Sequence, residues 1–180
     1  MSKNLNLPNI LALFRIALAP LMLWFFVDRD NTIFSSWHPS WFDYFAGLIF
    51  VIASVTDFFD GYIARTWDQM TKFGGILDPL ADKMLVLAGF LGLMVIDRAD
   101  VWAVFLILSR EFFITGLRVV AVAEGKNVAS TMAGKVKTVA QMFAIGFLIM
   151  NWPYATTLLW FAVALTLYSG FEYTRDYFKA

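Results

Sequence analysis

The chain of 180 residues has no cysteine and a single histidine, His38. Disulfides, iron–sulfur clusters and thiolate zinc sites are thereby excluded. Charge is scarce as well. Only 16% of the residues are charged, against ~25% in ordinary soluble domains. Fourteen basic side chains balance 14 acidic ones, so the chain offers nucleic acid no electrostatic footprint and no such partner is expected. Polar tracts are few, and with 19 Phe, 7 Trp and 6 Tyr the chain does not read as disordered. What is abundant is apolar: 60% of residues are hydrophobic, above the ~45–50% of soluble domains. A water-soluble globule does not fit this composition.

A bilayer-spanning helix needs ~20 apolar residues. Six runs meet that need: 10–27, 42–64, 75–96, 101–123, 131–150 and 154–172. They are continuously apolar, not alternating in the ten-residue strands of a membrane β-barrel, and an open sheet would leave backbone groups unpaired in lipid. The expectation is an all-α integral membrane protein with six transmembrane helices, forming one domain over residues 1–180. Lys3, an apolar run and Ala17-Leu18-Ala19 imitate a signal peptide. Arg15 interrupts that run, Pro20 would follow the cut and the run continues to Val27, so we read a retained first helix. With both termini cytoplasmic, Lys3, Arg65, Lys72, Lys126, Lys135, Lys137, Arg175 and Lys179 fall at or near the inner face. The outer loops then hold only Arg29 and Arg98. Trp37, Trp41, Trp102, Trp152 and Tyr154 mark the outer boundary, and His38 reads as a surface residue of that side. No internal repeat is visible, which counts against a transporter built from inverted halves.

Several charges lie inside the apolar runs. Asp57, Asp60, Gly61, Ala64 and Arg65 share one face of the second helix, at i, i+3, i+4, i+7 and i+8. Gly74, Asp78 and Asp82 form a stripe on the third. The connection between these helices is short, so they should be neighbours, with the four carboxylates facing one another in the inner half of the membrane. Each intramembrane aspartate costs at least ~2.5–3.5 kcal/mol on insertion scales. The four must be protonated, paired or bound to metal. Oxygen ligands without histidine or cysteine suit hard cations such as Mg²⁺, Mn²⁺ or Ca²⁺, and four carboxylates can neutralise two of them. Two such ions can clamp the attacking and leaving oxygens of a phosphoryl transfer. Gly61, Ala64, Gly74 and Gly75 serve either close helix packing or room for a flat nucleobase and a diphosphate.

A second group of charges, Arg110, Glu111, Arg118, Lys135 and Lys137, lies on the fourth and fifth helices. Arg110 and Glu111 stand ~100° apart around a helix, so each is expected to find its partner on another helix and not in the other. For Lys126, Lys137 and Arg175, snorkelling to anionic headgroups competes with a role in a site; Arg110, near mid-membrane, is poorly placed to snorkel. A basic pocket beside a carboxylate–metal site points to a phosphorylated second substrate. Arg15 on the first helix either joins this pocket or pairs with a carboxylate.

The run Asp57-x2-Asp60-Gly61-x2-Ala64-Arg65-x8-Gly74-x3-Asp78-x3-Asp82 resembles the signature of the CDP-alcohol phosphotransferases without a departure, eight fixed residues over 26 positions. Segments 4–20 (NLNLPNILALFRIALAP), 109–118 (SREFFITGLR) and 134–142 (GKVKTVAQM) are similar to bacterial members whose acceptor is sn-glycerol 3-phosphate. The resemblance implies a multi-pass enzyme of the bacterial cytoplasmic membrane, typically homodimeric, with its active site toward the cytoplasm. It implies that an acceptor hydroxyl attacks the β-phosphorus of CDP-diacylglycerol and CMP leaves, with Mg²⁺ or Mn²⁺, as two ions, for cofactor. By position, Asp57, Asp60, Asp78 and Asp82 would ligate metal. Asp82 would be a ligand of the second metal, the general base, or both, because the attacking hydroxyl must lose its proton. Asp57, Gly61, Ala64, Arg65, Gly74 and Asp78 would bind the CDP-lipid. Arg110, Arg118, Lys135 and Lys137, outside the signature, are the candidates for the glycerol phosphate.

Charge arithmetic agrees with a phosphorylated acceptor. Two divalent ions offset four carboxylates, and the substrates bring about four negative charges. Arg65, Arg110, Arg118 and Lys135 supply four positive ones. Inositol phosphate satisfies the same count, and a phosphatidyl lipid is a further acceptor known to the family. A cation channel or carrier would also use intramembrane carboxylates. Its site should sit near midplane with access from both sides, whereas these aspartates lie toward one face, beside arginines.

Overall fold

The computed structural model describes residues 6–29, 38–66, 74–125 and 132–179, with the backbone alone at 58, 60–66 and 76. Lys3, Trp37, Lys72 and Lys126, singled out above, lie outside the described residues. Six helices account for nearly all that is described: α1 Leu7–Val27, α2 Ser40–Thr66, α3 Gly74–Val95, α4 Val101–Ala123, α5 Met132–Ile149 and α6 Ala155–Lys179. No strand occurs among the described residues. The helix count and order follow the apolar runs. The sixth helix outlasts its run and ends at Lys179 instead of Glu172. A buried stripe, Ser169, Tyr173 and Tyr177, at helical i, i+4, i+8 spacing, continues from the apolar stretch past its end.

Local chemistry sets the ends. The Asn6 side chain accepts from the Asn9 amide at 3.2 Å, capping α1, and Pro8 sits in the first turn, where its missing N–H costs nothing. Asp100 caps α4 by accepting from the Ala103 amide at 3.0 Å. Arg98 donates to the Ile149 carbonyl at 2.5 Å, placing a cation where the last carbonyls of α5 have no helical partner.

The chain divides into two compact units, Met1–Ile96 and Asp97–Ala180. In the first, α1 packs along both α2 and α3, and these two meet each other over a much shorter stretch. The expected α2–α3 neighbours therefore touch, but the principal partner of each is α1. Small residues open the seams. Ala12 packs on Leu77 and Ala81. A Cβ added at Gly92 would lie 2.1 Å from the ring of Phe26, so α3 approaches α1 where a side chain is absent. In the second unit α6 packs along α4 and α5, with Ala140, Ala144 and Ala162 clustered at one seam. Such small-residue contacts are how helices associate in lipid, where burial of apolar surface offers no extra drive.

The large apolar side chains also point outward. Leu13, Phe14 and Leu21 on α1, Leu48 and Val51 on α2, Phe105, Phe112 and Val119 on α4, and Phe161 and Phe171 on α6 are exposed. A soluble monomer rarely shows contiguous apolar patches beyond a few hundred Å². Two helices, Leu7–Val27 and Met132–Ile149, are long and apolar enough to cross a membrane by length and composition. In α3 and α4 the charges Asp78, Asp82, Lys83 and Arg110, Glu111, Arg118 interrupt the apolar run. An all-helical membrane protein is the architecture these features describe.

Candidate active site

In the first unit the site gathers around Arg15. Its side chain is 1% exposed, and its guanidinium bonds the Asp57 carboxylate on α2. Another of its nitrogens lies 4.0 Å from Asp78 Oδ1 on α3. A buried arginine in an apolar surrounding is costly unless paired. Because α1 runs between α2 and α3, position 15 is where one cation reaches both carboxylates. Of the two roles open to Arg15, the structure selects pairing with a carboxylate.

Asp57 and Asp78 are partly exposed, and Asp78 Oδ1 is buried without a hydrogen-bond partner among the described residues. Asp82 stands one turn further along α3, half-buried. Gly74 is buried at the start of α3. At Gly75 a Cβ would meet nothing within 4 Å, so that glycine leaves room and does not seat a helix contact. Asp60, Gly61, Ala64 and Arg65 belong to the last turns of α2, and their side chains lie outside the described residues. Among the described residues no three carboxylates or histidines converge as a ligand set. The donors present nonetheless fit a hard divalent cation: they are carboxylate oxygens, and Asp78 Oδ1 accepts no hydrogen bond among the described residues.

The second unit holds the basic cluster. Glu111 on α4 bonds Lys137 on α5. Arg110 donates from Nη2 to Ser169 Oγ on α6 at 2.9 Å and from Nη1 to Glu111 Oε1 at 3.2 Å. Both residues of the adjacent pair thus find partners on other helices, as expected, but they also bond each other, contrary to expectation. The 100° between their Cα–Cβ bonds is spanned by the long guanidinium stem, and a buried cation does not leave a carboxylate at that distance unused. Lys137 is buried, which excludes snorkelling. Arg118 is exposed, two turns along α4, with its guanidinium 5.7 Å from the centre of the Tyr173 ring. Lys135 is exposed. The second unit therefore holds an ion pair, Lys137 with Glu111, beside Arg110, and the exposed cations Arg118 and Lys135, of which Lys135 is not brought onto the others.

Sequence reasoning did not single out Ser169 or Gly170. Their one signal is a small polar pair in the apolar run of α6. It likewise passed over the polar contact between Gln141 and Thr166, where the amide donates at 2.8 Å and ties α5 to α6.

The chain is similar to known proteins along most of its length. Residues 5–168 match the family described as CDP-alcohol phosphatidyltransferase. A CDP-diacylglycerol–glycerol-3-phosphate 3-phosphatidyltransferase of Bacillus subtilis (strain 168) is 40% identical, over 97% of this chain and 96% of that protein. The enzyme of the same name from Escherichia coli (strain K12) is 40% identical over 93% and 92%, and that from Cereibacter sphaeroides 34% over 96% and 95%.

Proposed function

The chain belongs to the CDP-alcohol phosphatidyltransferase family, and on that premise we propose that it transfers the phosphatidyl group of CDP-diacylglycerol to sn-glycerol 3-phosphate, giving phosphatidylglycerophosphate and CMP. The observation that carries this reading is similarity along nearly the full length of both chains to relatives bearing that name. The Arg110, Arg118 and Lys135 cations support a phosphorylated acceptor.

In this reading all six helices span the bilayer of a bacterial cytoplasmic membrane as one domain. At 1.5 Å per residue, helices of 18 to 27 residues are about 27–40 Å long, enough for the hydrocarbon core. Both termini and the active site face the cytoplasm, and the protein works as a homodimer.

Asp57, Asp60, Asp78 and Asp82 hold Mg²⁺ or Mn²⁺, as two ions. When bound, the metal supplies positive charge to the phosphoryl oxygens. Asp57, Gly61, Ala64, Arg65, Gly74 and Asp78 line the CDP-lipid site. Arg110, Arg118 and Lys135 take the acceptor phosphate, and Lys137 acts there through Glu111. An oxygen–phosphorus bond forms between the acceptor hydroxyl and the phosphatidyl phosphorus. The bond from that phosphorus to the CMP oxygen breaks, and Asp82 takes the hydroxyl proton.

The test is an acceptor competition assay on purified protein, with CDP-diacylglycerol as donor and CMP release as readout. Release should require glycerol 3-phosphate and a divalent cation together. Equal turnover with myo-inositol phosphate or serine would overturn the acceptor assignment.

A further inference from the structure

We propose that Ser169 and Gly170 of α6 are positioning residues for Arg110, and that through it they set the affinity for the acceptor's phosphate. The inference rests on the reading above that Arg110 belongs to the acceptor site. Both residues follow the segment matched to the family, which ends at residue 168.

The Arg110 side chain is 10% exposed and lies against α6. A Cβ at Gly170 would stand 3.0 Å from Arg110 Cγ and 3.2 Å from its Nε. Those separations are tighter than ordinary contact, and they involve the stem of the arginine as well as its head. Gly170 sits inside a regular helix, away from any turn, so its value is space and not backbone freedom. The notch lets the arginine cross the face of α6.

Ser169 supplies the anchor. Its side chain is fully buried, and its hydroxyl donates to the Thr166 carbonyl at 3.0 Å. With its hydrogen directed there, its lone pairs are left to accept from Arg110 Nη2 at 2.9 Å. Glu111 accepts from Nη1. The guanidinium is thus held at two points, by α6 and by its own helix, while Nε has no partner among the described residues. Because Lys137 also pairs with Glu111, Arg110, Lys137 and Glu111 together keep one positive charge. A cation held this way needs little reorganisation to meet a phosphate.

The experiment uses the full chain in detergent micelles, measuring KM for glycerol 3-phosphate and for CDP-diacylglycerol separately. Gly170→Ala and Ser169→Ala should each raise the glycerol 3-phosphate KM roughly tenfold, the size of one weakened hydrogen bond to a charged group. The CDP-diacylglycerol KM should stay near wild type. Ser169→Thr, which keeps the hydroxyl, should recover most of the loss. In an Arg110→Lys background, Gly170→Ala should add nothing. Equal effects on both substrates, no effect on either, or additivity with Arg110→Lys would overturn the proposal. If Arg110→Lys itself leaves the acceptor KM unchanged, the placement of Arg110 in the acceptor site is what fails.

Discussion

Asp78 is half exposed, accepts no hydrogen bond through its buried oxygen among the described residues and lies near a guanidinium already bonded to Asp57. Its charge therefore matters more to ligand binding than to folding. Asp78→Asn should cut CMP release by more than about 100-fold, since even residues that merely support metal ligands are worth 10–100-fold. Its thermal unfolding should remain near wild type; near-normal turnover would remove Asp78 from the site. Lys135 is exposed and unburdened by an ion pair among the described residues. Lys135→Ala should raise the glycerol 3-phosphate KM more than that for the CDP-lipid, and the opposite ranking would assign it to the nucleotide. Glu111 is different, because it compensates a buried lysine. Glu111→Gln should destabilise the protein by about 1–3 kcal/mol, read as a lower unfolding temperature. At this scale the placing of Asp57 and Asp78 on neighbouring helices was legible, because helical spacing fixes which residues share a face. The bond between Arg110 and Glu111 was not, because neighbours in sequence meet only when their long stems are turned toward each other by packing.

Among the helices, α1 is the element whose role the sequence least discloses. It reads as an apolar span broken by one arginine of undecided role, yet it packs along both α2 and α3, and that buried arginine serves the aspartates of both. Its contact with α3 depends on Gly92, where an added Cβ would meet the Phe26 ring at 2.1 Å and its Cβ at 2.9 Å. Phe26 is itself buried and has little freedom to retreat. Gly92→Ala should therefore destabilise the protein by about 1–3 kcal/mol. Gly116→Ala on α4 is the control, since a Cβ there meets nothing within 4 Å. That change should be neutral or stabilising by up to about 1 kcal/mol through helix propensity. Equal unfolding temperatures for the two variants would remove the packing argument. The short α2–α3 connection correctly implied that those helices meet, but connection length says nothing about a third helix that packs against both.

For the whole molecule, the absence of cysteine is an experimental opening, because any introduced thiol is the sole target. In cells, His38→Cys should react with a membrane-impermeant maleimide from outside, whereas Lys179→Cys should react only after permeabilisation. Both positions are exposed. Labelling of both from outside would overturn the proposed orientation. The sequence by itself determined the membrane class, the six helices and the aspartate signature. These rest on local quantities: the length of an apolar run, the period of a helix and the identity of residues a few positions apart. Tertiary structure decided which partner each cation meets. Arg15 reaches Asp57 across 42 positions, Lys137 reaches Glu111 across 26, and Arg110 reaches Ser169 across 59. No periodicity spans such distances. In a medium where an unpaired charge is costly, the pairing follows from which helices pack together and where a glycine leaves room for a long side chain to cross.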